Sequence, residues 1–378
     1  MSRRAPLILI SAGGTGGHLF PAEALAHVLR GLNLRVVLVT DERVGALAEK
    51  FPADEVVSVP SATPSRRSLP GMVEAAGTLW RGVFASRALI ERLRPAAVIG
   101  FGGYPTVPPL VAAWTMGVPR ALHEQNGVIG RANRFLARRV SMIATGFPEV
   151  RGLPRGLRAT VVHTGNPVRR SVIEAARTLY PSAHKGAKLR LLVFGGSQGA
   201  RVMSDVVPEA VAKLPPEYLR RLVITQQARE EDLPRVVSTY RAIEAQAEVR
   251  PFFSDLPQRI ADSHLVIARS GASTVAELAA IGRPSILVPL PGALDQDQAA
   301  NARTLQDVGA ALMLPQTDFT PERLAQELTA RFDDPDLLTK AALAAKAAGR
   351  TDAAERVAAV VLGLAGIDPA RYSGAPTA

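Results

Sequence analysis

At 378 residues, 47% apolar and 21% charged, the chain is long enough for two domains with separate cores and ordinary for a globular protein. It has no cysteine, which excludes disulfides, a thiolate metal site and a cysteine nucleophile and fits a reducing cytoplasm. The formal charge of +11 is lopsided: residues 1–165 carry a net +10 and the remainder +1, so an anionic partner, either lipid headgroups or nucleic acid, is expected for the first half alone.

The opening Met1-Ser2-Arg3-Arg4-Ala5-Pro6 leads into an apolar run too short for a signal-peptide core. No uncharged stretch reaches the roughly 18–20 apolar residues of a membrane span, so the expectation is a protein in solution or on a membrane surface. Strand-like runs alternate with helical patterns throughout, which predicts α/β architecture with parallel sheets. In the first half strands fall near 6–12, 35–40, 56–59, 97–100, 120–123, 140–145 and 160–163. Helices fall near 18–31, 43–50, 70–94, 105–117 and 130–138. Thr164-Gly165-Asn166-Pro167-Val168-Arg169 reads as a linker, because Pro167 fixes its own φ and pushes Asn166 out of the helical region. The second half repeats the scheme, with strands near 189–195, 221–225, 247–250, 264–268, 285–289 and 310–313. Its helices fall near 199–213, 231–244, 255–261, 272–281, 297–307 and 321–331. The alanine-rich stretch 339–364 reads as helical and able to pack back on the first domain, with 366–378 as a tail expected to fray after Asp368. The expected domains are therefore 1–165, completed by a helix at 350–365, and 166–349.

Two glycine turns of one design carry most of the chemistry. The first, Gly13-Gly14-Thr15-Gly16-Gly17-His18, follows the apolar run Leu7–Ile10 and opens a helix. The second, Gly195-Gly196-Ser197-Gln198-Gly199-Ala200, follows Leu191–Phe194 and opens another. A buried strand, a glycine turn and a helix N-terminus present backbone N–H groups and a positive dipole end to an anion, so a phosphorylated ligand is expected. The first turn fails the dinucleotide pattern, since Leu19 stands where its third glycine would fall, and Asp41 alone is weak support for a ribose-binding acid. His18 begins its helix at the dipole end that favours a neutral ring able to accept a proton.

Phe101-Gly102-Gly103-Tyr104-Pro105 makes a further glycine turn after a strand, and His123-Glu124-Gln125-Asn126 offers four polar residues as a hydrogen-bonding floor. In the second half Arg269-Ser270-Gly271-Ala272-Ser273-Thr274-Val275-Ala276-Glu277 places Ser270 as a natural N-cap before a helix N-terminus open to a diphosphate. Glu277, two turns beyond Ser270, could accept both hydroxyls of a ribose; the bland alternative is a solvated helix carboxylate. Asp295-Gln296-Asp297-Gln298 contains an Asp-x-Asp, weak evidence for a metal, and amide contacts from Gln298 to a sugar with no required metal are preferred. The segment 66–94 sets Leu79, Trp80, Val83 and Phe84 among Arg81 and Arg87, which fits interfacial docking on an anionic membrane as well as a plain core helix.

In this order these segments resemble the MurG family, peptidoglycan glycosyltransferases that convert lipid I to lipid II, from Gly13 to about Leu364. The resemblance implies a GT-B fold, two Rossmann-like domains whose parallel sheets face each other across a cleft, and UDP-N-acetylglucosamine as donor. It implies donor contacts from Ser197, from Ala272, Ser273, Thr274, Val275 and Ala276, from Glu277 to the ribose, from the backbone around Phe253 to the uracil and from Gln298 to the sugar. Thr15, Gly16, Gly17, Asn126 and Arg169 would contribute from the first domain, with Tyr104 on the acceptor side. Asp297 departs from relatives that carry a second Gln there, which leaves the sugar contacts open.

The expected reaction is one inverting displacement of UDP by the 4-hydroxyl of MurNAc in lipid I, with His18 as base and Glu124 as the alternative. Amides and the helix dipole would take up the charge of the leaving diphosphate without a divalent metal. The expected place is the cytoplasmic face of the bacterial inner membrane, with no nucleic-acid partner. Rival readings are a UDP-N-acetylglucosamine 2-epimerase, which needs no docking face, an NAD-dependent dehydrogenase, and a nucleic-acid binder whose arginines here lack aromatic interleaving.

Overall fold

Apolar runs buried on both faces become the central strands of two parallel sheets. The computed structural model describes residues 5–13, 16–41, 50–62, 69–181, 186–196, 198–292 and 296–372. The chain divides into two compact units, residues 1–169 with 352–378, and residues 170–351.

The first unit holds β1 (Leu7–Ser11), β2 (Arg35–Thr40), β3 (Glu55–Ser58), β4 (Ala97–Gly100), β5 (Arg120–Glu124), β6 (Met142–Thr145) and β7 (Thr160–His163). They run parallel in the order β3-β2-β1-β4-β5-β6-β7. All five residues of β1 are buried, because helices cover both faces, and the two-residue period sends neighbours to opposite layers. Ile8 and Ile10 join Leu25 and Leu29 of α1 (Gly16–Gly31), together with Val357 and Val361 of the last helix, Ala353–Ala365. Leu7 and Leu9 face the other layer, with Val83 and Ile90 of α2 (Leu69–Leu93), Leu110 of α3 (Val107–Thr115) and Leu136 of α4 (Arg131–Leu136).

The second unit opens with α5 (Arg170–Ala175) and then β8 (Leu189–Phe194), α6 (Arg201–Ala212), α7 (Pro216–Leu219), β9 (Leu222–Gln227), α8 (Leu233–Ala242) and β10 (Gln246–Arg250). It continues through α9 (Leu256–Asp262), β11 (Leu265–Ala268), α10 (Ala272–Ile281), β12 (Ser285–Leu287), α11 (Asp297–Asp307), β13 (Ala311–Met313), α12 (Pro321–Asp333) and α13 (Pro335–Ala348). Its six strands are parallel in the order β10-β9-β8-β11-β12-β13.

Several local expectations are refined. The segment 164–169 runs up to the division of the chain after Arg169, and it is packed: residues 164–168 are buried, and Asn166 donates through Nδ2 to Gln125 O at 2.9 Å. The stretch 339–364 is helical and falls into two helices, α13 and α14 (Ala353–Ala365). They part at Gly349, where a Cβ would lie 2.3 Å from Ala279 O. Just beyond Asp368 the described chain is tied down rather than frayed: Tyr372 packs with Ile367 on the first core, and its O accepts from Asn33 Nδ2 at 3.2 Å. The helix expected at 43–50 lies outside the described residues apart from its last position.

Candidate active site

In open parallel α/β sheets, ligands bind beyond the carboxyl ends of the strands where the strand order reverses. The first sheet reverses between β1 and β4, the second between β8 and β11. The glycine turns stand at these points.

In the first unit Gly16 opens α1, and a Cβ there would lie 2.8 Å from the Phe20 ring. That ring carries the Arg169 guanidinium 4.5 Å from its centroid, so a cation stands beside the turn. Gly17 is exposed, while Thr15 lies outside the described residues. His18 is half-buried, its Nδ1 3.3 Å from Gln125 Oε1. Its ring faces the turn after β4, where Gly102 and Gly103 have φ of 87° and 76°. Tyr104, in the turn Tyr104–Thr106, is half-buried and packs partly against the α2–α3 core layer.

The polar run after β5 is not an open floor. His123, Glu124 and Gln125 are 0%, 1% and 2% exposed, and only Asn126 is half-buried. Glu124 Oε1 accepts from Asn126 N at 3.0 Å and Nδ2 at 3.4 Å; Oε2 accepts from Gly130 N at 2.9 Å and Asn133 Nδ2 at 2.8 Å. A carboxylate has about four lone-pair sites, and these four N–H groups fill them. Glu124 therefore ties the loop to α4, with its oxygens already taken up by these N–H groups. His123 donates from Nε2 to Gly165 O at 3.1 Å and stacks on Phe101 at 5.3 Å. Burial lowers its imidazole to about 4, so the ring is neutral at pH 7.

In the second unit the turn after β8 closes on itself: a Cβ on Gly195 would lie 2.2 Å from Ala200 N. Gly196 and Gly199 take φ of 95° and 68°, and Ser197 lies outside the described residues. After β11, Arg269 donates to Val288 O, Pro289 O and Gln316 Oε1 and so braces neighbouring loops. Ser270 is not the N-cap; its hydroxyl donates to Gln298 O at 2.8 Å, and Gly271 is the cap residue with no side-chain bond. The first N–H groups of α10, at Ala272, Ser273 and Thr274, thus lack a side-chain cap, and Ser273 Oγ is buried without a partner. Val275 is buried and Ala276 half-buried. Glu277 is 6% exposed, not a solvated carboxylate.

The far end of α10 is closed by Gly282 in the left-handed conformation. Arg283, 1% exposed, donates through Nη1 to Ile281 O at 2.9 Å and Gly282 O at 3.0 Å, and Lys346 Nζ donates to Ala280 O at 2.8 Å. Burial lowers the Arg283 guanidinium to about 10, so it stays charged. Gln298 Oε1 accepts from Leu290 N at 3.0 Å, which leaves its amide N–H groups to donate. Phe253, after β10, is buried beneath the Arg259 guanidinium at 4.4 Å. Asp295 lies outside the described residues, among which no cluster of three or more His, Asp or Glu could hold a metal ion.

Along α2, Trp80 is 62% and Phe84 67% exposed, with their rings 6.3 Å apart, and Arg81 is exposed beside them. Val83 is not part of that face: it is 7% exposed and belongs to the core, and Leu79 is half-buried. Arg87, half-buried, donates to Thr115 Oγ1 at 3.1 Å, which leads to residues the sequence reading missed. Trp114 and Phe135 are both about half exposed, and the Arg139 guanidinium lies 5.3 Å and 4.1 Å from their ring centroids. The signal was present as apolar rings within reach of the pair Arg138-Arg139, but it is split between α3 and α4. No helix of the described residues is long and apolar enough to cross a membrane.

Comparison with known proteins supplies the family. Residues 8–145 match the glycosyltransferase family 28 N-terminal domain and residues 190–357 its C-terminal domain. A protein of Methylobacterium sp. (strain 4-46), named UDP-N-acetylglucosamine–N-acetylmuramyl-(pentapeptide) pyrophosphoryl-undecaprenol N-acetylglucosamine transferase, is 62% identical over 363 residues, 96% of this chain and 98% of its own. One of the same name from Rhodopseudomonas palustris (strain ATCC BAA-98 / CGA009) is 57% identical over 94% of this chain and 98% of its own. The crystal structure of Acinetobacter baumannii MurG superposes with a TM-score of 0.76 at 28% identity, covering 95% of this chain and 99% of that one. A UDP-N-acetylglucosamine 2-epimerase superposes with a TM-score of 0.65 at 13% identity over 96% and 97% of the two chains, a likeness of fold alone.

Proposed function

This chain belongs to the MurG family within glycosyltransferase family 28, and from that premise we infer how its residues carry out N-acetylglucosaminyl transfer. Its α/β units make the GT-B fold, and it is a hexosyltransferase that moves GlcNAc from UDP-GlcNAc to the MurNAc of lipid I, giving lipid II for peptidoglycan synthesis.

The observation that carries the mechanism is the N-terminus of α10, open to an anion at the switch point of the second sheet. Its N–H groups, Ser273 Oγ and the helix dipole would bind the donor diphosphate and stabilise the charge that grows as UDP leaves. Glu277 would accept from the ribose hydroxyls, the backbone near Phe253 would meet the uracil, and the Gln298 amide would donate to the sugar. This arrangement needs no divalent metal to neutralise the leaving group. In the first unit His18 Nε2 would take the proton of the MurNAc 4-hydroxyl while that oxygen bonds to the anomeric carbon. The bond from that carbon to the diphosphate oxygen breaks, UDP leaves with the electron pair, and the anomeric configuration inverts. Arg169, held over Phe20, supplies positive charge beside the turn.

The acceptor is an undecaprenyl lipid. Trp80 and Phe84, with Arg81 beside them, supply an apolar tip and a cation for shallow insertion among anionic headgroups. The enzyme thus works as a peripheral protein on the cytoplasmic face of the membrane. The direct test mixes the purified protein with labelled UDP-GlcNAc and a lipid I analogue in detergent, with EDTA present. Label in a β-linked lipid product with equimolar UDP is the expected result; donor epimerised without transfer would overturn it.

A further inference from the structure

The Gln125 side chain is oriented by an atom that can play only one part. Phe101 O is a carbonyl and only accepts, so the Gln125 atom 2.8 Å from it is the donor Nε2. That turns Oε1 to the other side, 3.3 Å from His18 Nδ1. An amide oxygen also only accepts, so Nδ1 of His18 carries the hydrogen. A neutral imidazole has one N–H, which leaves Nε2 with the free lone pair.

Gln125 cannot pivot to relax this. It is 2% exposed, and its own carbonyl accepts from Asn166 Nδ2 at 2.9 Å. Its orientation is therefore fixed from the ends of β4, β5 and β7 together. The His18 ring also lies against the backbone of Gly102 and Gly103. The opposite tautomer would set two lone pairs against each other at the Gln125 contact.

We propose that Gln125 is a positioning residue that holds His18 in the Nδ1–H tautomer, so that Nε2 faces the reaction as the proton acceptor. This rests on His18 being the base. Neighbouring His123 is held in the opposite tautomer by Gly165 O, so the chain assigns its two adjacent imidazoles different hydrogen positions.

The test is long-range 1H–15N correlation on the full-length protein with 15N-labelled histidine, read in alkaline buffer. In the wild type, His18 Nδ1 should resonate in the protonated range and Nε2 in the unprotonated range. In Gln125→Leu the pattern should move toward the Nε2–H form that free histidine prefers. Turnover should fall about 10- to 100-fold with the donor KM unchanged, less than the ~10²–10⁴ of a lost base. Wild-type His18 found as the Nε2–H form overturns the proposal and needs no variant. A Gln125→Leu protein that keeps both tautomer and turnover also overturns it. Full turnover in His18→Ala would overturn the base assignment instead, whatever the spectra show, so the two failures are separate.

Discussion

The His18 imidazole stands against the backbone of Gly102, its Cε1 3.2 Å and its Nδ1 3.3 Å from the point where a Cβ on that residue would lie. Gly102 also has φ of 87°, a region that costs an L-residue about 1–2 kcal/mol. Gly102→Ala should therefore lose about 1–2 kcal/mol in urea unfolding. The displaced ring should also lower kcat by about 10-fold or more, since small misplacements at a reacting group are costly. Donor affinity, measured by calorimetry, should stay near wild type.

Glu124→Gln should act on stability. An amide would turn an N–H₂ group toward two of the four N–H donors that the carboxylate now accepts. Hydrogen bonds to charged groups contribute about 1.5–3 kcal/mol each, so a loss of about 2–3 kcal/mol is expected from denaturant curves. The surviving activity should keep the wild-type pH–rate profile. Loss of one limb of that profile at unchanged stability would make Glu124 the base.

His123 makes stability depend on pH in a defined window. Its folded value of about 4 lies below the ordinary 6.5, so below pH 6.5 the unfolded chain binds the extra proton. Its contribution is fully present above about pH 6.5 and is lost as pH falls toward 4, a change of about 3 kcal/mol at 1.36 kcal/mol per unit. Urea curves at pH 7, 5.5 and 4.5 should show this slope in the wild type. The slope should be smaller by about this amount in His123→Gln.

Glu277→Ala should weaken UDP-GlcNAc binding about 10- to 100-fold, the equivalent of a lost charge-assisted hydrogen bond. Folding should survive, as judged by circular dichroism. Unchanged donor affinity in calorimetry would remove Glu277 from the site.

Replacing both Trp80 and Phe84 by Ser should reduce binding to anionic vesicles by about 10- to 100-fold, from the apolar area no longer inserted. Because both side chains are exposed, unfolding free energy should stay within about 0.5 kcal/mol of wild type. Turnover of a water-soluble acceptor analogue should be unaffected.

What the sequence shows and hides follows from the range of each interaction. β1 and β8 are legible because strands covered on both faces need apolar runs, here Leu7–Ile10 and Leu191–Phe194. Helix 272–281 is legible to the residue, with Gly271 before it and Gly282 after it. Its cap is not: Ser270 has the right chemistry, but its hydroxyl is drawn to Gln298 O, 28 positions away. The break at Gly349 is set by Ala279, and the occupancy of Glu124 by Asn126, Gly130 and Asn133. Val83 and Phe84 are adjacent and equally apolar, and only packing sends one inward and the other out. Residue types reveal what chemistry is on offer, and long-range pairing decides which of it stays free.

The cations at the end of α10 have a mechanical consequence. Arg283 joins the terminal carbonyls of that helix to Ala261 O and to Thr178 O and Leu179 O, and Lys346 adds a link to Ala176 O at 2.6 Å. A helix that would hold a multiply charged anion at one end is thus bolted at the other to Ala261 and to residues 176–179. On the proposed reading it would act as a strut with a fixed axial position, passing the load of binding into the body of the unit rather than into sliding of the helix.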